Sequence, residues 1–156
     1  MTIRRNALLI LAALIGSHAL AADLAIQDPW VRGTVPAQKA TGAFMRITGK
    51  TSTIITGASS PVAGVVELHE MAMHDNTMVM RPITRLEVPA GGTVELKPGS
   101  YHIMLMDLKQ PLATGQKVPI TLQVDSGGKR ESIEVQAEVR SLTGQPATMA
   151  PHPASK

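Results

Sequence analysis

The chain has 156 residues, 15 Lys and Arg against 12 Asp and Glu, a formal net charge of +3, and three aromatic residues. Nucleic-acid binding needs clustered basic residues and stacking rings, and the sequence has neither, so that class is excluded. It has no cysteine, which excludes a disulfide framework and any metal site built on a thiolate.

The first 21 residues resemble a secretory signal. Arg4 and Arg5 precede an apolar stretch over residues 7–16, and Ala19-Leu20-Ala21 fits the small-x-small cleavage pattern. The stretch is shorter than the about 20 apolar residues that a spanning helix needs. We therefore predict a cleaved signal peptide over residues 1–21, a periplasmic mature protein, and no membrane span after cleavage.

Beyond residue 22, short segments rich in Val, Ile and Thr alternate with turn residues. Predicted strands cover residues 24–26, 30–32, 41–48, 52–58, 65–73, 77–82, 86–88, 93–96, 102–108, 117–124 and 132–139. Asp75-Asn76, between two apolar runs, is typical of a hairpin turn. Many short strands separated by turn signals favour an all-β sandwich or barrel, which we assign to one domain over residues 22–140.

The last segment, residues 141–156, consists mainly of small and polar residues with three prolines. Such a composition offers too little apolar surface to offset the entropy of ordering it. We predict a flexible C-terminal tail.

Methionine and histidine cluster in the middle of the chain. Alternation of side chains along a strand gives three sets that each share a face: His69, Met71 and Met73; Met78 and Met80; and His102, Met104 and Met106. Singly, any of these could be a core methionine or a hydrogen-bonded histidine. The pattern His-x-Met, occurring twice with Met80 between, favours a site where sulfur and nitrogen converge.

The chemistry of that donor set is selective. Thioether and imidazole suit Cu(I), whereas zinc takes thiolate, imidazole and carboxylate. Two imidazoles and two thioethers carry no charge, so we expect a site that can exchange its ion.

The spacing His69-x10-Met80-x21-His102-x-Met104 is similar to the metal signature of the PCu(A)C family of periplasmic copper chaperones. The resemblance extends over about residues 25–139 and includes Asp28-Pro29-Trp30-Val31-Arg32 and residues 66–70, 80–82, 88–92 and 98–106.

That resemblance implies a cupredoxin-like β-sandwich or barrel that binds Cu(I) through His69, Met80, His102 and Met104 and is not an enzyme. It implies delivery of copper toward the copper site of cytochrome c oxidase, alongside a thioredoxin-like partner of the Sco type.

The chain departs from the family at one position, because some members have Met directly after the first His, where this chain has Glu70. Met71 is then a spare ligand or a rim contact. Further candidate metal ligands are Met73 and His74 near the turn, and Met149 and His152, through which the tail could bind a second copper as Cu(II).

Other classes fit less well. In a zinc hydrolase helix the two histidines of H-E-x-x-H are four residues apart, whereas His69 and His74 are five apart, about 140° around a helix. A blue-copper electron carrier needs a Cys ligand. A metal-free β-sandwich binding module and a periplasmic protein for copper storage or tolerance remain as alternatives.

Overall fold

The computed structural model describes residues 23–141, so the predicted signal peptide (1–21) and the predicted tail beyond Ser141 lie outside the described residues. The described part consists of strands and turns without a helix, so nothing in it forms a helix that could cross a membrane. Its strands are β1 (Leu24–Arg32), β2 (Ala40–Gly49), β3 (Thr53–Ser59), β4 (Ala63–His74), β5 (Thr77–Ile83), β6 (Leu86–Val88), β7 (Thr93–Leu96), β8 (His102–Leu108), β9 (Lys117–Ser126) and β10 (Lys129–Arg140).

The strands form one sheet in the order β5-β4-β8-β2-β1-β10-β9-β3-β6, with β7 pairing the far part of β2. Nearly all pairs are antiparallel, and β1 and β10 are parallel. Every strand except β5 contributes buried apolar residues to a single core cluster. Strands distant in the sheet order share that core, so the sheet folds over on itself, and the all-β fold is confirmed.

The first two predicted strands are in fact one. β1 continues through Asp28-Pro29 with a bulge between Gln27 and Trp30. Asp28 takes a φ of 49° there, a left-handed conformation that Asp tolerates better than most residues. The bulge lets β1 stay paired with β2 on both sides of the proline.

The turn at Asp75-Asn76 is the predicted hairpin. Both residues have positive φ, 46° and 62°, as a two-residue type I′ turn requires. This turn makes β4 and β5 a regular hairpin in which Met71 pairs with Met80 and Met73 with Met78. The turn therefore sets the position of Met80 relative to β4.

Candidate metal centre

The candidate ligands lie on the outer face of three neighbouring strands, β5, β4 and β8. On β8, Ile103 and Leu105 face the core, so His102 and Met104 project from the opposite face. His69 pairs with His102 across β4 and β8. Because directly paired residues of an antiparallel ladder share a face, strand pairing collects this set outside the core.

His102 is 7% exposed although it lies on the outer face. Its Nδ1 lies 3.0 Å from the carbonyl oxygen of Ser100, and a carbonyl can only accept, so Nδ1 carries the proton. In the neutral ring, Nε2 is then unprotonated and holds a lone pair. This nitrogen lies 3.1 Å from Sδ of Met80. Two electron-pair donors thus face each other without a proton between them, an arrangement that a cation would stabilise.

His69 is 8% exposed and is held by a carboxylate. Its Nε2 donates to Oε2 of Glu67 over 2.8 Å, because an ionised carboxylate only accepts. The other ring nitrogen, Nδ1, is buried and has no hydrogen-bond partner among residues 23–141. A buried polar atom without a partner costs about 1–3 kcal/mol, so this nitrogen is poised for a ligand.

The two imidazole rings are close enough to bind one ion. Their centroids lie 5.8 Å apart. A bond from imidazole nitrogen to a metal is about 2 Å long, so two rings on one ion have centroids roughly 5–6 Å apart. The spacing between His69 and His102 therefore suits a shared metal ion.

Sulfur lines the rest of the centre. A cleft of about 230 Å³ opens beside His102, and its wall includes Met71, Met80 and Met104. Met80 is half-exposed, whereas Met71 and Met104 are partly buried. An ion here would be surrounded mainly by uncharged soft donors and would stay within reach of solvent or a partner.

The structure adds residues that the sequence did not single out. The Phe44 ring lies 6.4 Å from the His102 ring and 4.5 Å from the Trp30 ring, centroid to centroid. Gly42 makes room for it, since an added Cβ would be 2.8 Å from Cζ of Phe44. Strand parity could have flagged Glu67, two residues before His69, and Ser100 lies two residues before His102 in the same way. Phe44 becomes a neighbour of His102 only in the fold.

Glu70 stands where some family members have Met, and its side chain points away from the centre. It follows His69 directly and so lies on the other face of β4. There Nε of Arg81 donates to its Oε1 over 2.6 Å. Met71, one residue further on, is the side chain that lines the cleft.

The further candidate ligands are dispersed. Met73 is exposed near the end of the hairpin, whereas His74 lies on the opposite face, with its Nε2 3.4 Å from Oδ2 of Asp75. Met149 and His152 lie outside the described residues. Within residues 23–141 no three His, Asp or Glu side chains group as a metal site, so any metal ion at this centre would depend on thioether sulfur.

Comparisons with known proteins give a family match and a curated relative. The family model described as "Putative lipoprotein LpqE-like" matches residues 24–139. "Putative lipoprotein Lxx21020" of Leifsonia xyli subsp. xyli is 35% identical over 103 residues, which are 65% of this chain and 62% of that relative. The chain thus matches less than two thirds of that relative's length.

Two solved structures share the fold. The CuI-DR1885 solution structure from Deinococcus radiodurans is 30% identical, with a TM-score of 0.55, over 83% of this chain and 85% of that one. The copper-bound PCuAC domain from PmoF2 has a TM-score of 0.63 at 18% identity, over 77% of this chain and 94% of that domain. At that identity, the second likeness speaks for the fold alone.

Proposed function

The chain belongs to the LpqE-like family, which is the PCu(A)C family, and from that premise we propose that it binds Cu(I) and passes it to another protein. The observation that carries the proposal is the contact between Nε2 of His102 and Sδ of Met80, two electron-pair donors 3.1 Å apart. A soft monovalent ion between them would relieve their repulsion.

The proposed ligands are Nδ1 of His69, Nε2 of His102 and the sulfur atoms of Met80 and Met104. Each nitrogen is the one that the hydrogen bonds of the ring leave free. With no charged ligand, the site favours Cu(I) over Zn²⁺, which prefers thiolate, imidazole and carboxylate. The charge-neutral donor set suits a carrier that must also release its ion.

Support for copper comes from a relative, since the DR1885 solution structure that is 30% identical to this chain is described as its CuI form. The half-exposed Met80 gives an acceptor a point of entry. We propose an acceptor with soft ligands of its own: a thioredoxin-like protein of the Sco type and, through it, the copper site of cytochrome c oxidase.

Export is part of the proposal. The lipoprotein descriptions of the family and of the curated relative support an exported protein, as does the signal-like sequence over residues 1–21. We propose a periplasmic location. We also propose that the tail binds a second copper, as Cu(II), through Met149 and His152.

The test is a titration of the apo protein with Cu(I) in competition with bicinchoninate, repeated for His102→Ala and Met104→Leu. Loss of a ligand should weaken binding roughly tenfold or more, since even a residue that only holds a ligand is worth that much. Met106→Leu is the matched control, because it removes a thioether from the same face of β8 without touching the proposed set.

Two results would contradict the proposal. Equal Cu(I) affinity in wild type, His102→Ala and Met104→Leu would mean that copper does not bind on this face of the sheet. An X-ray absorption spectrum of the copper-loaded protein without sulfur scatterers would remove the methionines as ligands.

A further inference from the structure

Strand β5 contributes to the core only through its last residue, Ile83, which is partly buried. It is an edge strand of the sheet, and every residue from Thr77 to Pro82 is exposed. Met78 and Met80 are 47% and 49% exposed, and Met73 on β4 is 61% exposed. Core packing explains buried methionines, but it cannot explain why three exposed ones gather on one hairpin.

The hairpin arranges these side chains in pairs. In a two-residue hairpin the residues flanking the turn, His74 and Thr77, form a hydrogen-bonded pair, and pairs then alternate along the ladder. Met73 with Met78 is therefore a non-hydrogen-bonded pair, with Cα atoms about 4.5 Å apart and side chains at their closest.

The next non-hydrogen-bonded pair of the hairpin lies at the metal centre. Two residues further from the turn, Met71 pairs with Met80, and both line the cleft beside His102. Two residues along a strand span about 7 Å, and all four methionines share one face. A row of thioethers thus runs from the exposed end of the hairpin to the proposed ligands.

We propose that Met73 and Met78 form an outer Cu(I) site that takes up the ion and passes it inward to Met80 and His102. The inference rests on the proposed function, because an outer site is useful only if the inner centre holds copper. Two uncharged thioethers bind a soft monovalent ion, and fewer ligands than at the centre make this site the weaker of the two.

Transfer needs only ligand exchange. The bonds from copper to Met73 and Met78 break one at a time as bonds to Met71, Met80 and finally His102 form. Copper stays Cu(I) throughout, and no proton is released, because thioethers do not titrate. Met71 thereby acquires a role as an intermediate ligand between the two sites.

The kinetic test compares the double variant Met73→Leu, Met78→Leu with the control Val79→Leu. Leucine keeps the size and apolar character of methionine, and Val79, exposed on the opposite face of the same hairpin, tests for general effects of substitution there. Uptake of Cu(I) from bicinchoninate, followed by stopped flow, should slow several-fold in the double variant only, with unchanged affinity for the first equivalent.

An uptake rate equal to that of the control would overturn the outer site. A fall in affinity for the first equivalent would overturn it as well, because Met73 and Met78 would then belong to the inner centre. Neither result touches the proposed function, whose own tests are the affinities of Met104→Leu and His102→Ala and the X-ray absorption spectrum of the copper-loaded protein.

A second measurement detects the outer site directly. With methionine methyls labelled with carbon-13 and Ag(I) as a redox-inert stand-in for Cu(I), the first equivalent should shift the Met80 and Met104 resonances. Further Ag(I) should shift those of Met73 and Met78 together. If these two remain unchanged in excess Ag(I), no outer site exists.

Discussion

Glu67 and His69 form a hydrogen bond of 2.8 Å between Oε2 and Nε2, on the face of β4 that carries the candidate metal centre. The bond fixes the tautomer of a nearly buried ring and leaves Nδ1 as its free nitrogen. Carboxylate partners of this kind orient metal-binding imidazoles in many proteins. Glu67 is therefore a positioning residue for His69.

Removal of this carboxylate should weaken Cu(I) binding. We expect Glu67→Ala to lower the affinity about 10–100-fold, the usual cost of losing such a partner. Glu67→Gln should cost less, because its amide oxygen can still accept from Nε2. Competition titration measures both variants, and long-range nitrogen-15 NMR of the ring checks the tautomer. An affinity in Glu67→Ala equal to that of wild type would contradict the role.

Gly42 should tolerate no side chain. An added Cβ would meet the Phe44 ring at 2.8 Å, and that ring packs beside His102. We expect Gly42→Ala to destabilise the protein by about 1–3 kcal/mol, as overpacking does, and to weaken Cu(I) binding as Phe44 shifts. Urea unfolding measures the first effect and competition titration the second.

Gly57→Ala is the matched control for that substitution, because a Cβ at this position meets nothing within 4 Å. It should leave Cu(I) affinity unchanged. If Gly42→Ala behaves like Gly57→Ala in both measurements, then Phe44 does not support His102 in the way its packing indicates.

The ion pair between Asp28 and Arg140 should give stability a modest dependence on pH. The Arg140 guanidinium, hydrogen-bonded to the carboxylate, lowers the pKa of Asp28. Because the pKa of Asp28 is lower in the folded than in the unfolded state, the ion pair stabilises the fold at pH values above the unfolded-state pKa of about 4. This stabilisation is lost as the pH falls through the folded-state pKa. Because Asp28 is largely exposed, we expect less than about 1 kcal/mol.

Asp28→Asn tests this contribution, because Asn accepts the left-handed backbone that residue 28 adopts. Urea unfolding of both proteins should show wild type the more stable near neutral pH. The difference should vanish in acid, below the lowered pKa of Asp28. A difference that grows as pH falls would have the wrong sign for this pair.

Ile103 anchors the inner side of the strand that carries His102. It is fully buried, so Ile103→Val should cost about 0.5–1.5 kcal/mol through the lost methyl group and the cavity it leaves. Val65→Ala, at an exposed position of β4, should cost less. Equal losses in urea unfolding would mean that β8 is not held by the core in the way its burial indicates.

Much of this protein could be read from its sequence. Period-two alternation and turn residues predicted nearly every strand, and β6, β7 and β8 begin and end where predicted. Alternation also sorted His102 and Met104 from Ile103, because pleating is a local property of the chain. The composition excluded thiolate sites, and the long-range spacing of His69, Met80, His102 and Met104 indicated the family.

Tertiary structure decided what local pattern cannot. Whether His69 lies beside His102 depends on the pairing of β4 with β8, two strands separated by three others in the chain. The same pairing left β5 at the edge, where its methionines stay exposed. Such contacts arise only when distant strands meet, so alternation along one strand could not reveal them.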